Sequence, residues 1–430
     1  MFTFNNSSIP IDHTYWYLTN ETCPPLTGSQ HVDIVIIGGG MAGISAAHAA
    51  ATRGLKVALL EKAFIGSGAS GKSSGFITPD AEFSFSDLVA LHGPIDACRI
   101  WKFIESGVER IRTLITTHNI MCEFQEKETL VLATSAAATK KLYYEHETRI
   151  NNGLSSQLYT QDNIKTVIQS NKYYAAVSYG NTFSIKVFDY CQALKKIIRG
   201  MGVLVYENSP AHALEGHRVI TAHGRIDAQY IIVATDYQVP KLSPLVNDTY
   251  PVQTFLMSSA PLAADTVKKI FPEHDCMAWD TDLIYQYFRF TPDNRLLMGG
   301  SDLLATYSTM NGYHQKRIFK KLANYLHTYF PQISVEWEYI WPGLIGISKD
   351  LLPLAGKDPH KPVYYMSSAA GLPWAAALGT YAIESLIEKN DEFDIFFNPF
   401  RNFLIPHRLQ KLIGTKLTFA LCNFQKVSSL

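Results

Sequence analysis

Apolar positions fall into two kinds of run along this chain. Some runs are unbroken: Val32 and Ile34–Ile37, then Leu55–Leu60, then Ile231–Val233 ending at Ala234-Thr235. Short β-branched runs of this kind are the signature of strands buried on both faces, as in a parallel sheet. Helical patterns alternate with them. The order is strand, helix, strand over 32–62, helix and strand over 187–206, strand over 230–235, and strand and helix over 363–389, the last helix spanning about Ala375–Lys389. Residues near 120–180 and 241–340 instead alternate apolar with polar and carry most of the turn residues, which fits an antiparallel sheet. The fold expected is α/β: a Rossmann-like dinucleotide-binding domain with a discontinuous α+β, antiparallel-sheet substrate domain. The boundaries expected are an extension over 1–30, a binding domain over 31–118, 181–240 and 341–400, a substrate domain over 119–180 and 241–340, and a tail over 401–430.

The run from Val32 to Ala51 is apolar enough to suggest a membrane span, yet it contains four glycines. It also divides into a β-branched half and an alanine-rich half, so strand, glycine turn and helix describe it better. The turn reads Gly38-Gly39-Gly40-Met41-Ala42-Gly43, a G-x-G-x-x-G between strand and helix. Gly38 serves the tight turn, Gly40 the approach of a pyrophosphate, and Gly43 the packing of helix on strand. The amides of Met41 and Ala42 open the helix, where its dipole favours phosphate. Glu61 ends the next strand 18 residues beyond Gly43, at the spacing from which an acidic side chain meets ribose hydroxyls. Lys62 follows it, and then comes a small-residue segment, Gly66–Gly75, whose Gly68, Ala69, Ser70 and Gly71 let backbone run close to a flat cofactor while Lys72 serves the pyrophosphate.

Composition changes the picture in three ways. Lys+Arg and Asp+Glu both number 38, so the basic excess of a general nucleic-acid binder is missing. Six cysteines lie far apart with no C-x-x-C pair, which suits neither a zinc site nor a disulfide framework, and no metal is expected. The first Lys or Arg is Arg53, so nothing resembles a secretory signal, and a soluble cytoplasmic protein is expected. The tail is the exception. Residues 401–430 hold Arg401, Arg408, Lys411, Lys416 and Lys426 with no Asp or Glu. Two readings stand for it: a basic amphipathic segment at the inner face of a membrane, or a terminal helix packed on its own domain.

The Ile65–Gly71 segment after the glycine turn is similar to the IGxGASG of D-amino-acid-oxidase-type FAD-dependent oxidoreductases. The resemblance continues through Tyr287–Gly300, with Pro292-Asp293-Asn294 as turn chemistry, Trp341-Pro342-Gly343, Asp350–Gly356, and Ala370-Gly371-Leu372-Pro373-Trp374, covering roughly 14–400. Tyr15-Trp16-Tyr17, Pro24-Pro25-Leu26 and the Trp341 segment look most like the γ-glutamylputrescine oxidoreductase group. The resemblance implies FAD, and adds Ala211, Ala234, Thr235, Gly343, Gly371, Leu372 and Pro373 to its contacts. It implies oxidation of a C–N bond by hydride transfer to the flavin, with O2 or a quinone or other carrier as acceptor. Relatives that oxidise amino acids place an arginine where this chain has Ile345, so an amine is the expected substrate. Tyr285, Tyr287 and Trp374 are candidate pocket walls, and Arg289 is a substitute carboxylate clamp for the alternative, an amino-acid oxidase or dehydrogenase. A non-catalytic FAD-bearing assembly factor is a third reading. Relatives with covalent flavin use a cysteine near Gly343, and none occurs between Cys276 and Cys422, so the flavin is expected to be non-covalent. A lysine that assists oxygen reduction in those relatives is Leu297 here, and the family's G-x-x-H-P is absent from 180–187.

Overall fold

A computed structural model describes residues 14–17, 21–80, 82–307, 314–369 and 371–428. Ala370, the first thirteen residues of the expected extension, and Ser429-Leu430 of the tail lie outside the described residues, and the side chain of Lys426 is not described.

The continuous apolar runs become a parallel sheet. Its central strand, Gly28–Ile37, lies between Val57–Leu60 on one side and Gly224–Val233 on the other. Leu204–Tyr206 extends the first side and Val363–Ser367 the second, all parallel. A side chain on such a strand faces alternate sides of the sheet. Ile34, Ile36 and Leu59 accordingly pack under the helices Met41–Thr52, Val187–Gly200 and Leu372–Ile383, while Val35, Ile37, Ala58 and Leu60 pack on the opposite face with Leu242, Leu245 and Tyr365. That face is covered partly by an antiparallel pair, Ala211–Glu215 and Arg218–Thr221, which runs into the start of Gly224–Val233. The apolar run 32–51 is therefore strand, turn and helix, and among the described residues no helix is long and apolar enough to cross a membrane.

The second sheet has eight strands in the order Trp337–Ser348, Thr249–Pro261, Arg295–Gly300, Tyr287–Phe290, Met277–Asp280, Thr129–Ala133, Ala175–Tyr179 and Gln157–Tyr159. All its neighbours are antiparallel except Met277–Asp280 beside Thr129–Ala133. Its core is closed by the amphipathic helix Gln315–Tyr329, through Ile318, Phe319, Leu322 and Leu326. The boundary expected at 341 needs correction. Trp341-Pro342-Gly343 is expected at the start of the last binding-domain segment, but these residues sit inside the strand Trp337–Ser348, paired with Leu256, Phe255 and Thr254. Residues 341–348 thus belong to the antiparallel sheet.

The long helix Phe85–His118 starts with a capping box in which Ser84 and Asp87 satisfy each other's amides, and it bends at Gly93-Pro94. The tail forms two helices, His407–Ile413 and Thr415–Ser428. It packs on the chain itself: Phe419 is fully buried against Tyr250, with ring centroids 5.4 Å apart. Gln410 donates to the Asn247 carbonyl (2.9 Å), and Arg401 is bound by both oxygens of Asp350.

Candidate functional site

The glycine turn is built as its spacing predicts. Gly38 takes φ +113°, which favours glycine, and its amide donates to the Leu60 carbonyl (2.8 Å). A Cβ on Gly43 would collide with the carbonyl oxygen of Gly38, so helix and turn touch backbone to backbone. Met41 donates its amide to Ser70 Oγ (2.9 Å), bringing the second small-residue loop against the helix N-terminus. The first-turn amides of Ala42 and Gly43 have no acceptor within the helix, as helix geometry requires. Glu61 is buried at the strand end and accepts from the amides of Gly39 (2.7 Å) and Ala63 (2.9 Å). Its neighbour Lys62 is exposed. Ala234 donates to the Ile37 carbonyl (2.8 Å), which sets Thr235 beside the turn, and Thr235 Oγ1 is buried with no hydrogen-bond partner. Ala211 opens its strand two residues after Ser209, whose amide donates to the Glu61 carbonyl (2.8 Å).

The second loop is held from outside by side chains that reach its carbonyls. Trp341 Nε1 donates to Lys72 (3.0 Å), Trp16 Nε1 to Ser73 (3.2 Å) and the Tyr17 hydroxyl to Ser67 (2.9 Å). Both indoles are buried and meet edge to face at 6.1 Å. Gly68, Ala69, Ser70, Gly71 and Lys72 sit on or at the start of the short helix Ala69–Lys72 in this loop.

Beyond the loop a cavity of about 330 Å3 opens between the two sheets. One end is formed by Ala69, Lys72–Gly75, Gly343 and Gly371-Leu372-Pro373. The last three begin the helix Leu372–Ile383, whose N-terminus therefore faces the cavity. Phe76, Trp279, Tyr285, Tyr287 and Tyr307 form aromatic walls, and Val252, Leu256, Ile345 and Ile347 form aliphatic ones. Two carboxylates, Asp80 and Glu82, also line it. The Tyr285 hydroxyl points to Glu82 Oε1 at 3.4 Å, and the Tyr287 hydroxyl lies 3.4 Å from Thr254 Oγ1. The Glu82 charge, and then burial, push the Tyr285 phenol up, while burial raises Tyr287, so both rings are neutral at physiological pH.

Two residues expected at the pocket lie elsewhere. Arg289 is only 1% exposed and does not line the cavity; its guanidinium donates to the carbonyls of Ser74 (2.6 Å), Phe290 (3.1 Å) and Ile185 (3.2 Å). Three backbone acceptors occupy the fork that a substrate carboxylate would need. Trp374 packs in the core against Phe103 and Phe397, because the first helical turn points its side chain away from the cavity. Sequence reasoning missed Asp80, Glu82, Phe76, Trp279 and Tyr307. For the two carboxylates the available signal was their place within seven residues of Gly75, at the exit of the small-residue loop; the aromatic residues carried none.

Asp236 was also missed. It follows Thr235, and its Oδ2 accepts from the Gly346 amide (2.8 Å) while its carbonyl accepts from the Ser368 amide (2.8 Å). One residue thus joins the end of the parallel sheet to the antiparallel one. Burial pushes its carboxyl up to about 7.

A family described as DAO, FAD dependent oxidoreductase, matches residues 33–384. The chain belongs to this family. Among curated relatives of the DAO family, a probable oxidoreductase OrdL of Haemophilus influenzae is 25% identical over 385 residues, 87% of each chain. Gamma-glutamylputrescine oxidoreductase of Escherichia coli is 27% identical over 401 residues, 90% of this chain and 92% of its own. Among solved structures, glycine oxidase from Geobacillus kaustophilus superposes with a TM-score of 0.73 at 21% identity, over 87% of this chain and 100% of that one. The DAO assignment makes this protein an FAD-dependent oxidoreductase, with the α/β fold expected of it.

The residues present fit that cofactor. The helix N-terminus at Gly40–Gly43, Ser70 Oγ and the Thr235 hydroxyl, which has no partner among the described residues, would hold a pyrophosphate, and Glu61 would meet the ribose. The cavity end made by Lys72–Gly75, Gly343 and Gly371–Pro373 is walled by small residues and backbone, as a flat ring system requires.

Proposed function

We propose that this oxidoreductase oxidises the C–N bond of an amine, held in the cavity between the two sheets. FAD, when bound, supplies the two-electron acceptor for the hydrogen on the carbon next to nitrogen. The chain's own residues set the rest. Phe76, Trp279, Tyr285 and Tyr287 exclude water and offer ring faces to a substrate cation. The N-terminus of Leu372–Ile383 favours negative charge at the cavity end where Gly371 and Pro373 lie.

The observation that carries the amine reading is the charge of the cavity lining. Among the described residues it contains no arginine and one cation, Lys72, together with Asp80 and Glu82, and Ile345 presents an alkyl group. A small amino acid needs a bidentate partner for its carboxylate, and Arg289 is committed to backbone carbonyls. The similarity to gamma-glutamylputrescine oxidoreductase supports the same class. The test is a panel of amines and amino acids mixed anaerobically with the FAD-loaded protein. Flavin bleaching by amines is expected; bleaching by amino acids alone would overturn the reading, and bleaching by neither would favour a non-catalytic FAD-bearing protein. Reoxidation of the bleached enzyme by air or by a quinone then identifies the acceptor.

A peripheral membrane contact is part of this proposal. The docked tail leaves Leu404, Leu409, Leu412, Leu417 and Leu421 exposed beside Arg408, Lys411 and Lys416. This supports a cytoplasmic enzyme that rests on an anionic surface, with co-sedimentation on anionic vesicles as the measurement.

A further inference from the structure

We propose that Glu82, which lines the cavity beside Tyr285, anchors a second cationic nitrogen of the substrate, so that the preferred substrate is an amine carrying two ammonium groups. The inference rests on the amine-oxidising reading and narrows its substrate class.

Glu82 lies on the short segment between the small-residue loop and the N-cap of Phe85–His118, and its carboxylate lines the cavity. A carboxylate offers about four acceptor sites. The contact from the Tyr285 hydroxyl, at 3.4 Å, is well beyond the roughly 2.5–2.7 Å of a charge-assisted O–H···O bond. Glu82 therefore retains acceptor capacity toward the cavity. The Tyr285 ring stands beside Glu82, with the Tyr287 ring 6.0 Å further on, and Tyr307 lines the same cavity. Asp80, on the same segment, adds a second carboxylate whose buried Oδ1 has no hydrogen-bond partner among the described residues. Arg149 lowers the Asp80 carboxyl, and among the described residues the only cation in the cavity lining is Lys72. Burial raises both carboxyls, a penalty that an arriving ammonium relieves.

A carboxylate beside aromatic rings is a receptor for an ammonium ion: ring faces attract the cation and the carboxylate takes its N–H donors. The reacting nitrogen belongs near Gly343 and Gly371–Pro373, where the flavin fits. Glu82 is linked to Gly343 through the successive contacts of Tyr285, Tyr287 and Thr254, so the group it holds is assigned to a different nitrogen on the same chain. A neutral or anionic terminus would give Glu82 no cationic partner, which also makes the site selective against such substrates.

The test compares 1,5-diaminopentane with 1-aminopentane on FAD-loaded wild type and on Glu82→Gln. Dissociation constants come from the anaerobic perturbation of flavin absorbance, and turnover comes from the bleaching rate. Wild type is expected to bind the diamine at least about 30-fold more tightly, and Glu82→Gln to lose that preference while binding the monoamine within about threefold of wild type. Glu82→Asp should keep the preference but favour a diamine about one methylene longer. Equal binding of the two amines by wild type would overturn the proposal, and that comparison needs no variant to fold. Equal losses for both amines in Glu82→Gln, at normal FAD content and Tm, would overturn it too by placing Glu82 on the reacting nitrogen. Glu82-dependent diamine binding without bleaching would instead preserve the anchor and defeat the amine-oxidising reading.

Discussion

A guanidinium carries five N–H donors, so Arg289, buried in the interior, must be met by acceptors wherever it sits. Burial lowers its pKa to about 10, and it remains charged at neutral pH. The acceptors are the carbonyls of Ser74, Ile185 and Phe290, so one side chain clamps the small-residue loop to the strand Tyr287–Phe290. Lys127 Nζ also reaches the Phe290 carbonyl (2.6 Å), which leaves Ser74 and Ile185 as the groups that depend on Arg289. Replacing it with methionine, Arg289→Met, strands two buried carbonyls at about 1–3 kcal/mol each and frees the loop. Lower Tm and lower FAD occupancy are expected, with amine turnover per bound flavin within a few-fold of wild type. Normal stability and FAD content with turnover lost would return Arg289 to the substrate.

At the scale of elements, legibility followed burial. Ile34–Ile37, Val57–Leu60 and Ile231–Val233 were readable because strands buried on both faces must be apolar throughout, and the Pro292-Asp293-Asn294 turn marked its hairpin. The strand Trp337–Ser348 was not, because proline and glycine in its middle carry turn chemistry, and only pairing with a distant segment overrides them. The site divided in the same way. The glycine turn and Glu61 lie within one strand–helix–strand unit and were legible, whereas Glu82 and Tyr285 meet across 203 residues, which no periodicity encodes. The tail was ambiguous for a further reason: a helix docked on its own sheet and a helix resting on a membrane share one amphipathic pattern. In the structure one face docks, with Phe419 buried, while Leu412 on the tail is 82% exposed. Arg408, Lys411 and Lys416 offer about 1 kcal/mol each near an anionic surface, which salt screens, and Leu412 adds salt-resistant apolar burial. Wild type is expected to sediment with anionic vesicles at low salt. The double variant Lys411→Glu, Leu412→Asp should do so at least tenfold less at unchanged Tm, and failure of wild type to bind would reject the membrane contact.

Across the whole molecule, polar contacts tie the antiparallel sheet to the parallel-sheet domain around the cavity: Trp341 to Lys72 and Arg289 to Ser74 in the small-residue loop, and Asp236 to Gly346. Among the described residues, no cation acts on the last of these. Desolvation is the largest influence on the Asp236 carboxyl and raises it to about 7, and the Gly346 amide opposes this only in part. Asp236 therefore makes the union of the sheets sensitive to pH, with a sign opposite to that of a salt-bridged carboxylate. Below about pH 4 the folded and unfolded chains both hold its proton, and it adds no pH dependence. Between about pH 4 and 7 the unfolded chain has released the proton while the folded chain keeps it, so stability falls as pH rises. Above about 7 the penalty is complete and constant. Asparagine has nearly the same shape, retains an oxygen for the Gly346 amide and cannot ionise. The Tm of Asp236→Asn minus that of wild type, measured on FAD-loaded protein, is therefore expected to increase from pH 4.5 to 7.5 and then level off. Other raised carboxyls, such as Asp280, are common to both proteins and cancel in the difference. A difference independent of pH would show that Asp236 is ionised throughout the range, and that a charge, rather than a shared proton and an amide, closes this corner of the cavity.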